Sequence, residues 1–526
     1  MRVLKDIPIV TRDSTCLICD IFLPDEDGNF PAIISLSPYQ KDVQWHVPSW
    51  HTAAQHEYQN WETPDPIQWT GEGYVVVRVD ARGSGKSGGV HSVFSKQEAS
   101  DFYDAIEWLA SQDWCTGMIG ATGVSYYAMS QWRVAAMAPP SLKAIVPASG
   151  SADIYREFIY RGGMFLHDFF VQWYTRLVGD HFHGKALHDQ AAYGEEWAIR
   201  EFIMHDLDGP YWDQRRPDFE NLHIPFLSTS SWHTWHGPGH VRGNLETFKG
   251  APSKNKRLRI STEDIFLDYY SDEMFGEQLA WFDHWLKNDT HEGFEQPRVR
   301  VKLQSSEDIS IWRNEDDWPL PGTKTLNLFL GGSENDGYQL KHEKQNSGVA
   351  EYNAPGELPP TAEPIGGAMK SELGVEFISD PFPEVTELVG EAALKLWGAS
   401  TYEDMDLHIF LDLITKEEKP IELSRGWLKA SHRELDVERS TERRPFLKHS
   451  RRIFLSPGVK EEMEVEIWPF AVRIQPGERL RLRIAGTGPG FLSSWHRRPR
   501  GLHTILFGGD DPSVLKLPMV SPSGSQ

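Results

Sequence analysis

Gly123-Val-Ser-Tyr-Tyr127 joins the apolar run Met118–Thr122 to a helix-like stretch that runs from Ser125 towards Met137. A glycine two residues before a serine, between a strand and a helix, permits a tight, strained turn that lifts the hydroxyl out of the sheet. The serine then stands at a helix N-terminus, where backbone N–H groups can stabilise an oxyanion. The chemistry this allows is acyl transfer through Ser125. It requires a base, because an unassisted serine hydroxyl near neutral pH is a poor nucleophile. The glycine usual two residues after such a serine is replaced by Tyr127. The competing reading is a serine that caps a structural helix.

Other motifs point to less chemistry. Gly83-Ser-Gly-Lys-Ser87 resembles the end of a phosphate-binding loop, but the glycine required five positions before Gly85 is Asp80. A tight polar loop held by an Asp80–Arg82 pair is expected instead. His233, His236 and His240 are closely spaced, as are His181 and His183. No carboxylate completes an H-E-x-x-H pattern and there is no His/Cys quartet, so neither a metal nor a cofactor is expected. Cys16 and Cys19 lie in Thr15–Leu23, a strand-like run where residues three apart point to opposite faces.

The elements that must position Ser125 alternate in type. Ala32–Leu36, Tyr74–Val79, Met118–Thr122 and Leu142–Val146 are short apolar runs with the character of strands buried on both faces. Between them, Phe102, Ala105, Ile106 and Leu109 fall on one helical face, and Pro139-Pro140 stop the helix after Ser125. Such alternation implies a parallel sheet with right-handed crossovers, an α/β domain. Ser149 to Asn221 reads as a helical, aromatic cap. Ile224–Ser230 and Arg257–Thr262 return to the sheet, and Phe275–Lys287 forms a closing helix. Beyond Gln296, Val299–Leu303, Leu326–Leu330, Ala393–Trp397, Leu407–Leu413 and Leu480–Ile484 read as strands of an antiparallel all-β sandwich of jelly-roll type, with a long loop over Ser333–Ser371. The expected domains are 1–148 with 222–295, the cap 149–221, and the sandwich 296–526.

The chain has 526 residues, more than one core normally supports. Its formal charge of -23 opposes binding to nucleic acid or to an anionic membrane surface. No apolar run reaches membrane-spanning length, and the N-terminus lacks a secretory apolar segment. Three cysteines cannot form a disulfide framework, which favours a reducing, cytoplasmic setting.

Several segments occur in the order found in the cocaine esterase / X-Pro dipeptidyl-peptidase family of serine hydrolases, which the chain resembles over nearly its whole length. They are Ser37-Pro-Tyr-Gln-Lys41, Asp80–Ser87, Trp114–Gly120, Gly123–Tyr126, Trp318–Pro321 and Phe470–Arg479. The resemblance implies an α/β-hydrolase domain, a helical cap and a C-terminal jelly roll. It also implies that Tyr39 donates its hydroxyl to an oxyanion hole beside the Tyr126 N–H. A phenol and an amide are both suited to a developing alkoxide.

The family's usual acid and histidine positions are replaced. Thr234 stands where the acid is expected, and the turn that should hold the histidine reads Ser261-Thr-Glu-Asp-Ile265. An exchange of roles is expected, with a histidine on the earlier loop and an acid on the later one, since triads are defined by geometry rather than chain order. His236, beside Thr234 and followed by Gly237-Pro238, is the favoured base, with Asp264 or Glu263 orienting it. Phe169, Trp173 and Trp232 are expected to line a site for a small apolar or aromatic ester or amide. The protein is expected to act on a small molecule, alone or as a homodimer. The altered triad keeps two alternatives open: a non-hydrolytic reaction (acyl transfer, a lyase step or an isomerisation), and a binding protein without activity.

Overall fold

The computed structural model describes residues 1–42, 56–166, 170, 173–174, 198–233, 239–307, 311–355, 374–488 and 500–523. Its first sheet has ten strands: β1 (Arg2–Val10), β2 (Cys16–Leu23), β3 (Phe30–Ser37), β4 (Val75–Asp80), β5 (Cys115–Val124), β6 (Leu142–Ala148), β7 (Phe226–Ser231), β8 (Lys256–Ser261), β9 (Val299–Leu303) and β10 (Ile311–Glu315). They lie in the order β1-β2-β4-β3-β5-β6-β7-β8-β9-β10. Pairing is parallel from β4 through β9 and antiparallel at both ends. Every residue of β4 and of β7 is buried, as a sheet covered on both faces requires.

Three helices bear on the site: α1 (Lys96–Ala110), α2 (Tyr126–Ala136) and α3 (Gly239–Gly250). In α1 the Ser95 side chain caps the Glu98 N–H, and Phe102, Ala105, Ile106 and Leu109 are buried as their spacing predicts. The closing helix runs over Asp272–Phe282 and continues as a wider turn to Lys287. The described part of the cap is less helical than its composition suggests. It contains a π-helical turn (Ile154–Ile159), a hairpin of two-residue strands, and the short helices Ala198–Met204 and Pro210–Asp213.

The loop after β4 is built differently from the expected Asp80–Arg82 pair. Arg82 binds Asp101 at 2.6 and 2.7 Å and Asp13 at 2.8 Å. Asp80 accepts the backbone N–H groups of Lys41 (2.6 Å) and Lys86 (3.1 Å). A carboxylate oxygen would stand 2.2 Å from a side chain at Gly85, so the loop closes around Asp80 rather than over it. Backbone donors satisfy Asp80 locally, which leaves Arg82 to partners on other elements. Burial raises the Asp80 carboxyl to about 6.

The C-terminal sheet has eleven strands and closes on itself, because Lys324–Ser333 and Thr386–Ser400 both pair with Val514–Val520. Its core is a separate apolar cluster that includes Leu394, Leu411, Phe470 and Leu482. Two expectations change here. Val299–Leu303 is not a sandwich strand but extends the first sheet beside β8. The stretch expected to be one long loop contains the strands Gly337–Lys341 and Gly348–Pro355, whose Gly- and Asn-rich flanks mask their short period. Directly after β9, Gln304 exchanges backbone hydrogen bonds with Ala471 and Arg473, which ties the two sheets together before the chain returns to the first sheet as β10.

Candidate active site

β5 ends at Val124 and α2 begins at Tyr126, which leaves Ser125 as the sole joint between them. Its φ of 57° and ψ of -115° are strained for a non-glycine residue. Gly123, at φ 149°, makes the turn possible, since a Cβ there would lie 2.5 Å from that of Tyr127. The Ser125 N–H is held by the Ala148 carbonyl at 3.0 Å and the Val124 N–H by that of Glu62 at 2.9 Å. The Ser125 side chain makes no capping bond to α2. Instead its Oγ lies 3.2 Å from Nε2 of His240. The helix-cap alternative therefore does not describe this serine.

His240 is the second residue of α3 and is 1 % exposed; Ser125 is 6 % exposed. The Phe158 ring stands edge-on to the imidazole at 6.0 Å. Of the two described histidines in this segment, His233 and His240, His240 is the one placed against the serine, and His236 lies outside the described residues. Thr234 and Phe169 also lie outside them. His240 lies in the first turn of a helix, and that position at the helix start after β7 is the signal that would have favoured it.

Tyr39 is buried, and its hydroxyl oxygen accepts a hydrogen bond from the Trp173 indole N–H at 2.8 Å. Its ring packs edge-on against Tyr126 (5.6 Å) and Tyr127 (5.9 Å), the residues that follow the serine. Burial holds the phenol well above its usual range, so it stays protonated. The loop carrying it is fixed by Lys41, whose ammonium is fully buried among Asp6 (2.6 Å), Asp20 (3.0 Å) and Asp42 (3.0 Å). Those three carboxylates could otherwise be mistaken for a cation site; the ammonium fills it.

Tyr126 is the first residue of α2, so its N–H has no acceptor within the helix. Its side chain is locked from behind. The hydroxyl donates to Glu98 Oε2 at 2.6 Å and accepts the Phe94 N–H at 3.3 Å, and the ring stacks on Phe94 at 4.7 Å. Burial raises the Glu98 carboxyl to about 7. Neither Glu98 nor this anchoring was apparent in sequence, because it joins two neighbouring helices 28 residues apart in the chain.

The remaining candidates make the following contacts. Asp264 Oδ1 accepts the Phe266 N–H at 2.9 Å and caps the helix Ile265–Tyr269. Glu263 reaches Lys302 at 2.7 Å, while its carbonyl accepts the Ser231 hydroxyl. The Trp232 indole donates to the Lys302 carbonyl at 2.8 Å and its ring packs on the core of the first sheet. Trp173 joins an aromatic cluster with Phe94, Phe158 and Phe170. No helix among the described residues is long and apolar enough to cross a membrane.

Comparison with known proteins agrees with this architecture. Residues 13–262 match the X-Pro dipeptidyl-peptidase (S15 family) model, and residues 292–516 match the X-Pro dipeptidyl-peptidase C-terminal non-catalytic domain. Cocaine esterase of Rhodococcus sp. is 29% identical over 381 residues, which is 63% of this chain and 62% of that protein. The crystal structure of a CocE/NonD family hydrolase from Staphylococcus aureus is 31% identical, with a TM-score of 0.88, covering 98% of this chain and 94% of that one. An aminopeptidase from a marine sediment Thaumarchaeota archaeon shares the fold at 15% identity, with a TM-score of 0.77 and coverage of 99% and 96%. The chain belongs to the CocE/NonD, X-Pro dipeptidyl-peptidase-like family of α/β-hydrolases.

Proposed function

We propose that the protein is a serine hydrolase that cleaves an ester or amide of a small apolar or aromatic acyl group through an acyl-Ser125 intermediate. The observation that carries this is the 3.2 Å approach of His240 Nε2 to a serine hydroxyl on a strained elbow. That separation suits transfer of the serine proton to imidazole. His240 takes the proton as Ser125 Oγ bonds to the carbonyl carbon, and the carbonyl electron pair moves onto oxygen. The Tyr39 hydroxyl and the Tyr126 N–H hold that oxyanion. Collapse of the intermediate breaks the bond to the leaving group, which departs with the proton from His240. Water then repeats the sequence on the acyl-enzyme and regenerates the serine.

The aromatic cluster beside Tyr39 supports a flat, apolar acyl group, and cocaine esterase is by its name an esterase. The test is labelling by a fluorophosphonate, read as intact mass. One equivalent should add to the parent and none to Ser125→Ala, and His240→Ala should react at least ~100-fold more slowly. An unlabelled parent, or a labelled Ser125→Ala, overturns the reading.

A further inference from the structure

The histidine-bearing end of α3 is gripped by the C-terminal sheet. Arg242 lies two residues beyond His240, on the opposite side of the helix at about 100° per residue. While His240 faces Ser125, Arg242 faces the sandwich strand Glu461–Ile474. Its Nε and Nη2 bind the two oxygens of Glu466 at 3.0 and 3.2 Å. Its Nη1 binds Glu157 at 2.8 Å, and the other oxygen of Glu157 accepts the N–H groups of Ala152 and Asp153. The Arg242 side chain is 2 % exposed and that of Glu157 is fully buried.

The helix start is equally confined. A Cβ at Gly239 would lie 2.3 Å from the Glu157 carbonyl oxygen and 3.2 Å from the ring of Trp468 on the same sandwich strand. The Arg161 guanidinium lies beside the paired rings of Trp427 (5.2 Å) and Trp468 (5.0 Å), and its Nε donates to that Glu157 carbonyl at 3.2 Å. Glu466 and Trp468 of the sandwich therefore confine Arg242 and Gly239, the residues on either side of the imidazole.

We infer that the sandwich, although its family model is described as non-catalytic, sets the position of the catalytic base: Glu466 is a positioning residue that acts on His240 through the bidentate pair with Arg242. This rests on His240 being the base. A planar guanidinium held by both carboxylate oxygens resists rotation of the helix end, which a single contact does not. Displacement of a catalytic group by about 1 Å costs on the order of 100-fold in rate.

The experiment compares the full-length parent with Glu466→Gln, which removes the charge and the bidentate grip, and with Glu466→Asp, which keeps the charge on a shorter arm. Asp412→Asn serves as control, because Asp412 pairs with Arg481 and Arg483 inside the sandwich and makes no bond to α3. Hydrolysis of p-nitrophenyl butyrate, fluorophosphonate labelling, thermal unfolding and the ¹⁵N resonances of the His240 ring (assigned by their loss in His240→Ala) are measured. The expected result for Glu466→Gln is a kcat reduced 10- to 100-fold with KM within twofold, slower labelling, and displaced His240 resonances. Glu466→Asp should be intermediate and Asp412→Asn should retain kcat. Unchanged His240 resonances and kcat in Glu466→Gln overturn the inference. So does an equal loss of kcat in Asp412→Asn, which would mean general destabilisation. Displaced resonances in a protein that never labels would uphold the link from Glu466 to His240 and overturn the acyl-serine reading instead.

Discussion

The indole N–H of Trp173 donates a 2.8 Å hydrogen bond to the hydroxyl oxygen of Tyr39. Because an indole can only donate, Tyr39 is the acceptor in this contact and its own proton is directed elsewhere. A residue expected from composition to touch substrate also hydrogen-bonds the donor proposed for the oxyanion. Tyr39→Phe should lower kcat by ~100-fold with little change in KM, the pattern of a bond made only in the transition state. Trp173→Phe keeps an aromatic ring, though a smaller one, but loses the N–H, and should lower kcat by about 10-fold in steady-state ester hydrolysis. Equal kcat in both variants and the parent would remove Tyr39 from the reaction.

Glu98 accepts the buried Tyr126 hydroxyl at 2.6 Å, on the residue whose N–H is proposed for the oxyanion. Glu98→Ala strands that hydroxyl and should destabilise the protein by about 1–3 kcal/mol. Glu98→Gln keeps an acceptor and should cost less. Chemical denaturation of the two variants gives the comparison, and the opposite order would contradict the hydrogen-bond account.

Gly123→Ala is expected to be among the most damaging single-methyl changes. The added Cβ meets that of Tyr127 at 2.5 Å, on a backbone at φ 149°. A loss of at least ~2 kcal/mol in stability is expected, together with loss of fluorophosphonate labelling. A variant that folds and labels like the parent would show that the elbow tolerates relaxation.

Glu62 gives a pH signature. Its side chain is buried beside the strand that leads to Ser125, and burial raises its carboxyl from 4.5 to about 8. The folded state therefore holds a proton that the unfolded chain releases above pH 4.5. Stability contributed by this group is present below that pH and is lost as the pH rises towards 8. Glu62→Gln removes the dependence, so its advantage over the parent should grow between pH 5 and pH 9 by on the order of 4 kcal/mol at most. Parallel stability curves for parent and variant across that range would contradict the burial argument.

Much of the scaffold was legible because it follows local rules. The helical face of Phe102, Ala105, Ile106 and Leu109 and the continuous apolar strands around it are properties of short windows. The elbow was legible for the same reason: a glycine, a serine and a strand-to-helix change within five residues. The alternating pattern of Val299–Leu303 suits a strand in either sheet, and only pairing with β8 decides between them. The partner of Arg82 is not legible locally, because Asp101 lies nineteen residues away.

The sequence by itself determined the type of the strands and helices around Ser125, the turn at Ser125 and the family to which the chain is similar, since these depend on neighbours along the chain. The tertiary structure alone decided which histidine faces the serine, what work Asp264 does, and that Glu466 of the sandwich reaches the helix of His240. The reason is geometric. The imidazole of His240 and the hydroxyl of Ser125 are 115 positions apart, and Arg242 and Glu466 are 224 apart. Their meeting depends on where β7 delivers α3 and how the two sheets pack, which no local pattern encodes.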